Sequence, residues 1–300
     1  MDELTAAGIA DPRLRASYAE CKRLNALHGK TYFLATMLLP KAKRPFVHAL
    51  YGFARFADEI VDDLASQLST EEKAQALSSW GNNLLKDLER GSSEDLVGGA
   101  LIDTVNRFGI PHEYFEAFLH SMTMDLTVQE YETFDDLMEY VYGSAAVIGL
   151  EMAPILGFSD VAALESAKKL GIAFQLANFI RDVDEDLDRG RIYLPIQELA
   201  LHGVTREMLE ARVLTPQIID ALKFQIARVR ELQAQAAPGI ALLNATSRPC
   251  IEAASQLYCG IVDEVEKIDY DIFNRRAKTS TIRRLRVAGA AFLKRQFVSS

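Results

Sequence analysis

The sequence predicts an all-α protein folded as a single domain over residues 1–300. Three observations carry that prediction. Apolar side chains recur at helical spacing, as in Phe53, Phe56, Ile60, Val61 and Leu64. Eight of the nine prolines fall where a helix can begin or end, and only Pro154 lies late in an apolar helical stretch, which it would terminate or kink. No alternating β-branched run of useful length competes with this reading.

In order, helices are expected at 12–27, 30–38, 43–65, 70–90, 94–107, 111–128, 134–156, 161–188, 205–211, 216–236, 247–273 and 279–295. Pro12 opens the first, Pro40 lies in the turn before the third and Pro45 in the third's first turn. Ser69 with Glu72 and Thr133 with Asp136 have capping-box spacing, and Thr215 followed by Pro216 makes an N-cap and first-turn pair. Pro111, Pro195, Pro238 and Pro249 punctuate the remainder. No repeat, low-complexity tract or long linker interrupts the series.

Composition narrows the function. With 49 % hydrophobic residues the chain can bury a substantial core, and a net charge of −9 argues against general nucleic-acid binding. The start, MDELTAAGIADPRLR, lacks the basic-then-apolar pattern of a secretion signal, and the weakly polar run from Tyr142 to Phe158 is broken by Glu151 and Pro154. A cytoplasmic chain without a transmembrane span is expected. Cys21, Cys250 and Cys259 form no CxxC pair, in keeping with a reducing compartment. The five histidines show no HxxxH or HExxH spacing, no GxSxG elbow exists, and Gly29-Lys30-Thr31 lacks both the earlier glycine and the strand that a phosphate-binding loop requires.

Two acidic stretches remain. Gln175, Asn178, Asp182 and Asp186 are spaced 3, 4 and 4 apart, so they share one stripe of a helix that is otherwise apolar nearly all round. Carboxylates in such a place need a counter-charge, and oxygen ligands of this kind suit a hard cation such as Mg²⁺. YGFARFADEIVDDL answers with Asp58 and Asp62 four apart and Arg55 one turn earlier. Such i, i+4 neighbours have Cβ atoms about 6 Å apart, close enough to share one metal or to hold two bridged by a ligand. Each stretch alone also reads as a solvated helix face; the pair, both in apolar helices with polar partners in phase, favours a site.

These segments, Arg55-x-x-Asp58-x-x-x-Asp62 and Gln175-x-x-Asn178-x-x-x-Asp182-x-x-x-Asp186, resemble the paired aspartate-rich motifs of the squalene/phytoene synthase family. The likeness runs over nearly the whole chain. His28 to Asp63 is similar to the family's N-terminal block, Tyr140 to Gly149 to its central tyrosine block, and RDVDEDLDRGRIYLP to its second motif and the flap after it. The resemblance implies an isoprenoid synthase fold with helices around a central apolar cavity. It also implies Mg²⁺, with Mn²⁺ as a substitute, held by Asp58, Asp62, Asn178, Asp182 and Asp186 against the diphosphate of a prenyl substrate. Arg55, Lys30 and Arg275 would add to that clamp, and Thr31, Tyr32, Gln175, Arg181 and Tyr258 are carried over as substrate-binding positions. Lys30, Thr31 and Tyr32 equally suit an ordinary helix start, and Gly29 departs from the serine common in the family.

Tyr140 alone reads as a core aromatic; the resemblance makes it a catalytic residue whose ring or hydroxyl stabilises a carbocation or its departing partner. Phe33, Phe53, Phe56 and Phe174 are candidate wall residues, or plain core. The implied reaction joins two allylic diphosphates head to head through a cyclopropyl carbinyl diphosphate. Gly143 to Ala146 is closer to the bacterial phytoene synthase branch than to squalene synthases, and neither a nucleotide fingerprint nor a hydrophobic C-terminal anchor is present, so two geranylgeranyl diphosphates and no NADPH are expected. The alternatives are squalene or dehydrosqualene formation from farnesyl diphosphate, a non-catalytic scaffold, and a cyclase-like or chain-elongating synthase. The basic stretch from Arg275 to Arg295 has no acid after Asp271; it is a solvated surface, a source of the diphosphate arginine, or a peripheral contact with the inner membrane face.

Overall fold

The computed structural model of the chain describes residues 1–62 and 68–298; the side chains of Asp62 and of residues 295–298 lie outside that description, as do Asp63 and Leu64. Among the described residues every regular element is helical, and strand-like pairing is limited to two isolated bridges, Glu130 with Ile192 and Phe158 with Leu243. The order is α1 (Glu3–Ala6), α2 (Pro12–His28), α3 (Lys30–Thr36), α4 (Arg44–Asp62), α5 (Thr70–Arg90), α6 (Leu96–Phe108), α7 (His112–Met124) and α8 (Phe134–Val141). A π-helical turn (Tyr142–Ala146) leads into α9 (Val147–Leu156), then α10 (Ala162–Arg181), α11 (Val183–Asp188), α12 (Ile196–Leu201), α13 (Arg206–Glu210), α14 (Pro216–Ile240), α15 (Arg248–Tyr258), α16 (Ile261–Lys267) and α17 (Thr281–Val298).

The expected caps form. Ser69 and Glu72 close a reciprocal capping box on α5, Thr133 and Asp136 do the same on α8, and the Thr215 side chain accepts from the Ile218 amide ahead of α14. Each such cap contributes about 1 kcal/mol. The differences from the sequence reading lie at breaks. The expected helix 134–156 contains the π-turn, 161–188 is interrupted at Asp182, and 247–273 is interrupted at Cys259 and Gly260. The short α1 and α12 carry too few residues for a periodic signal. Pro154 and Pro238 each sit inside the last turns of a helix, which then ends within two residues.

Two apolar cores result. One gathers α2, α4, α5, α6 and α7 around Tyr18, Phe53, Leu101 and Phe115; the other gathers α8, α10, α14 and α16 around Val141, Ala173, Val229 and Val265. Phe174, Ile251 and Tyr258 are half-buried against both, so the space between the cores is where an internal cavity opens. Backbones come close there. A Cβ on Gly143 would lie 2.0 Å from the Ala117 carbonyl oxygen of α7, and one on Gly171 would lie 2.4 Å from the Ala145 oxygen. The π-turn is thereby wedged between α7 and α10.

Candidate active site

A polar cavity of about 350 Å³ opens where α4, the end of α7, the π-turn and α10 converge. Its acids are Asp58 from α4, Asp125 after α7, Asp182 at the break after α10 and Asp186 from α11; its cations are Arg55, Arg181, Arg189 and Arg191. The break at Asp182 changes how neighbouring side chains meet. Adjacent residues of a regular helix do not face each other. With Asp182 at φ −100°, ψ 13°, the Arg181 guanidinium folds onto its neighbour's carboxylate, Nε donating to Oδ1 at 2.7 Å, and Nη2 engages Oδ2. Main-chain bonds still cross the break, from the Asp182 amide to the Asn178 oxygen and from the Asp186 amide to the Asp182 oxygen, both at 2.8 Å. The Gln175 to Asp186 stripe therefore stays on one side.

The half-buried carboxylates Asp58 and Asp182 are both countered. Arg55 Nη1 donates to Asp58 Oδ2 at 2.7 Å, and Arg276 Nη2, from the loop before α17, donates to Asp182 Oδ1 at 3.0 Å while its Nη1 pairs with Glu185. Asp186 is nearly covered. Burial, with the Asp182 carboxylate beside it, pushes its carboxyl up to about 8, against partial relief from Arg189 and Arg191. Asn178 Oδ1 is buried without a hydrogen-bond partner on the same wall.

Asp125 organises the opposite wall. Its Oδ2 accepts the Tyr140 hydroxyl and its Oδ1 the Tyr193 hydroxyl, both at 2.7 Å, while its backbone oxygen accepts from Arg191 Nη2 at 2.8 Å. Burial first, then the Asp125 charge, holds both phenols well above their ordinary range. Tyr193 stacks on Phe179 with centroids 4.1 Å apart, and lies 5.4 Å from the Tyr140 ring. The flap is pinned here by the Ile192 amide donating to the Gln129 oxygen at 2.7 Å.

Next to this polar space is an apolar cavity of about 280 Å³, walled by small and aliphatic side chains such as Ala35, Ile148, Ala153, Ala167 and Leu170, with Tyr32, Phe174 and Tyr258 among its aromatics. Ser144 and Gln175 line both cavities. They mark a waist between a charged mouth and a dry tunnel, a shape that fits a charged head on a long hydrocarbon tail.

Of the residues singled out in the sequence, Arg55, Asp58, Tyr140, Gln175, Asn178, Arg181, Asp182 and Asp186 line the polar cavity, and Tyr32 and Tyr258 the apolar one. The Asp62 side chain falls outside the described residues. Lys30 and Thr31 line neither cavity. Arg275 also lies elsewhere: its Nη2 donates to the Ile268 oxygen at 2.7 Å and its Nε faces Asp271, while the next residue, Arg276, turns to Asp182. Among the candidate walls, Phe174 and Tyr140 line a cavity, whereas Phe33 stacks on His48 and Phe53 and Phe56 pack on Trp80 inside the core. Asp125, Ser144, Arg191 and Tyr193 were not singled out. Arg191 and Tyr193 carry a usable signal, because residues i and i+2 of an extended segment share a face; Asp125 stands alone in its stretch and carries none.

No three His, Cys, Asp or Glu side chains among the described residues converge into a preformed metal cage. Mg²⁺ does not require one, since it is commonly held by one or two carboxylates together with substrate phosphates. The hard oxygen donors and the orphaned Asn178 Oδ1 fit such an ion.

A shell that is helical throughout the described residues, with an acid- and arginine-lined mouth above an apolar tunnel, is the architecture of an isoprenoid synthase. The squalene/phytoene synthase profile matches residues 26–283, and the chain belongs to that family. It is 38 % identical to the chloroplastic phytoene synthase 3 of Zea mays over 97 % of this chain and 68 % of that one. It is 34 % identical to the 15-cis-phytoene synthase of Synechococcus elongatus, covering 91 % of both. A dehydrosqualene synthase crystallised with a ligand superposes over the full length of both chains with a TM-score of 0.86 at 27 % identity.

Proposed function

We propose that the chain joins two molecules of geranylgeranyl diphosphate head to head, through a cyclopropyl carbinyl diphosphate, to give phytoene, with the whole of residues 1–300 acting as one catalytic domain. The observation that carries this is the meeting of a charged cavity and an apolar one at Ser144 and Gln175. The named phytoene synthase relatives support the longer substrate over farnesyl diphosphate.

Asp58, Asp182, Asp186 and Asn178 Oδ1, with Asp62, would hold Mg²⁺ or Mn²⁺, which supplies positive charge to the diphosphate as its C–O bond ionises. The chain's own residues do the rest. Arg55, Arg181 and Arg191 line the mouth as fixed donors for phosphate oxygens. Tyr140 and Tyr193 present rings whose hydroxyl protons are turned to Asp125, an arrangement that favours stabilisation of a cation by electron-rich aromatic groups. The tunnel keeps water from the allylic cation until it meets the second substrate's double bond. No NADPH is required for phytoene.

Incubating the purified chain with each prenyl diphosphate and identifying the hydrocarbon tests the reading. Phytoene from the C20 substrate supports it; squalene or dehydrosqualene from the C15 substrate, or no turnover at all, replaces it with the corresponding alternative.

Such substrates suit work at a lipid surface on the cytoplasmic side. Ile282, Leu285, Phe292 and Leu293 are exposed on one side of α17. Arg283 and Lys294 pair with acids of α16 and α15, whereas the exposed Lys278 and Arg286 have no acidic partner among the described residues. An apolar stripe with unpaired cations beside it complements an anionic bilayer. Co-sedimentation with phosphatidylserine vesicles, lost in a Leu285→Glu/Phe292→Glu variant, checks this; equal binding by both proteins refutes it.

A further inference from the structure

We infer that Ser144 is a catalytic residue of this reaction, its hydroxyl donating a hydrogen bond to the bridging oxygen of the departing diphosphate. The inference rests on the prenyl-coupling reading and adds a residue to it. Position comes first. A prenyl diphosphate lying with its head in the polar cavity and its tail in the apolar one has its C1–O bond at the waist, and among the described residues only Ser144 and Gln175 line both spaces.

The second observation is the state of the hydroxyl. A serine inside a helix ordinarily back-bonds to the carbonyl one turn earlier. Here Ser121 Oγ of α7 donates to the Tyr140 oxygen at 2.8 Å, occupying the carbonyl four residues before Ser144, and the local backbone is a π-turn, with the Val147 amide bonding to the Tyr142 oxygen. Ser144 Oγ is left buried with no partner in the chain. An orphaned buried hydroxyl is costly to keep, and such exceptions concentrate where a ligand completes the bond. π-turns likewise recur at functional sites.

The third observation removes the nearby phenols as competing hydroxyls. Tyr140 and Tyr193 both give their protons to Asp125, so neither phenol donates into the waist while that pairing holds. Ser144 is then the hydroxyl placed to meet the C1–O bond. As that bond breaks, both electrons leave with the bridging oxygen and the allylic carbon keeps the positive charge. Ser144 retains its proton and donates a hydrogen bond that strengthens as charge grows on the oxygen, so it acts mainly on kcat.

The test uses the full-length protein, first shown to turn over geranylgeranyl diphosphate, with Ser144→Ala and Ser144→Cys. Cysteine matches serine closely in size but is a weak donor. Both variants are expected to melt no lower than wild type, Ser144→Ala somewhat higher because it removes the unpartnered hydroxyl, and to keep KM while losing kcat by about 10- to 100-fold, the range for one hydrogen bond to a charged acceptor. Wild-type kcat in Ser144→Ala overturns the inference. So does a Ser144→Cys variant that keeps full kcat while Ser144→Ala loses it, since packing would then be the role. A wild-type chain inactive on every prenyl diphosphate would instead defeat the underlying reading.

Discussion

Asp125 offers the sharpest check on the polar wall. Each of its oxygens accepts one phenolic hydrogen at 2.7 Å, from Tyr140 and from Tyr193. In Asp125→Asn one of those acceptors becomes an N–H donor, so one phenol loses the acceptor for its proton inside a buried cluster. A hydrogen bond to a charged acceptor contributes about 1.5–3 kcal/mol, and the variant should lose about that much. At roughly 2 °C per kcal/mol for a chain of this size, the melting midpoint should fall by about 3–6 °C. A double-mutant cycle with Tyr140→Phe isolates the pair. If the bond exists as described, urea unfolding of Asp125→Asn, Tyr140→Phe and the double variant should give a coupling energy of at least about 1 kcal/mol. Losses that add to within about 0.5 kcal/mol would refute the pairing, because independent sites add to that precision. Turnover should fall with stability, since the ring that loses its bond would be free to leave its place on the cavity wall.

Further expectations follow from the same geometry. Asp58→Asn or Asp182→Asn should abolish turnover while leaving the circular dichroism spectrum and melting midpoint close to wild type; normal rates from either would count strongly against the assignment. Arg276→Gln removes a partly exposed partner of Asp182 and should raise the Mn²⁺ affinity of the substrate-free protein by about two- to fivefold, read by electron paramagnetic resonance. Glu151 is fully buried in α9 with both oxygens unpartnered, and burial raises its carboxyl well above the usual range. A raised native-state value means the folded chain keeps a proton that the unfolded chain releases. The associated stability is whole below the ordinary value of 4.5 and is lost as pH rises above it. Wild type should therefore lose stability relative to Glu151→Gln between pH 5 and pH 7 in urea melts, and a difference that does not change with pH would exclude a buried, protonated Glu151.

The elements legible in the sequence are those whose signal is local. Proline positions and the pairs Ser69 with Glu72, Thr133 with Asp136 and Thr215 with Pro216 act within one turn, and the helices start where they say. Asp58 and the Gln175 to Asp186 stripe were visible for the same reason, as spacing within a single helix maps onto one face. The break at Asp182 was not visible, because it depends on the Arg181 side chain and the loop bearing Arg276 meeting the same carboxylate. Nor was the π-turn, which sits where Gly143 and Ser121 bring α7 against this segment. Arg275 and Arg276 show the limit most plainly: adjacent in sequence and identical in chemistry, they differ only in which way an irregular loop points them.

Charge balance explains why this mouth calls for added cations. Among the described residues, its four lining carboxyl groups, Asp58, Asp125, Asp182 and Asp186, face four arginines, Arg55, Arg181, Arg189 and Arg191, and burial of Asp186 leaves at most about one net positive charge. So small an excess among the described groups cannot offset a multiply charged diphosphate, and several of the arginines already serve the acids beside them. Divalent ions taken up by the carboxylates would change both terms at once, adding positive charge and releasing guanidinium groups toward the phosphate oxygens. On this view the acids and arginines are two halves of one exchange. Ser144 at the waist then faces a substrate whose head is fixed on one side and whose tail is dry on the other, with the bond that must break held between them.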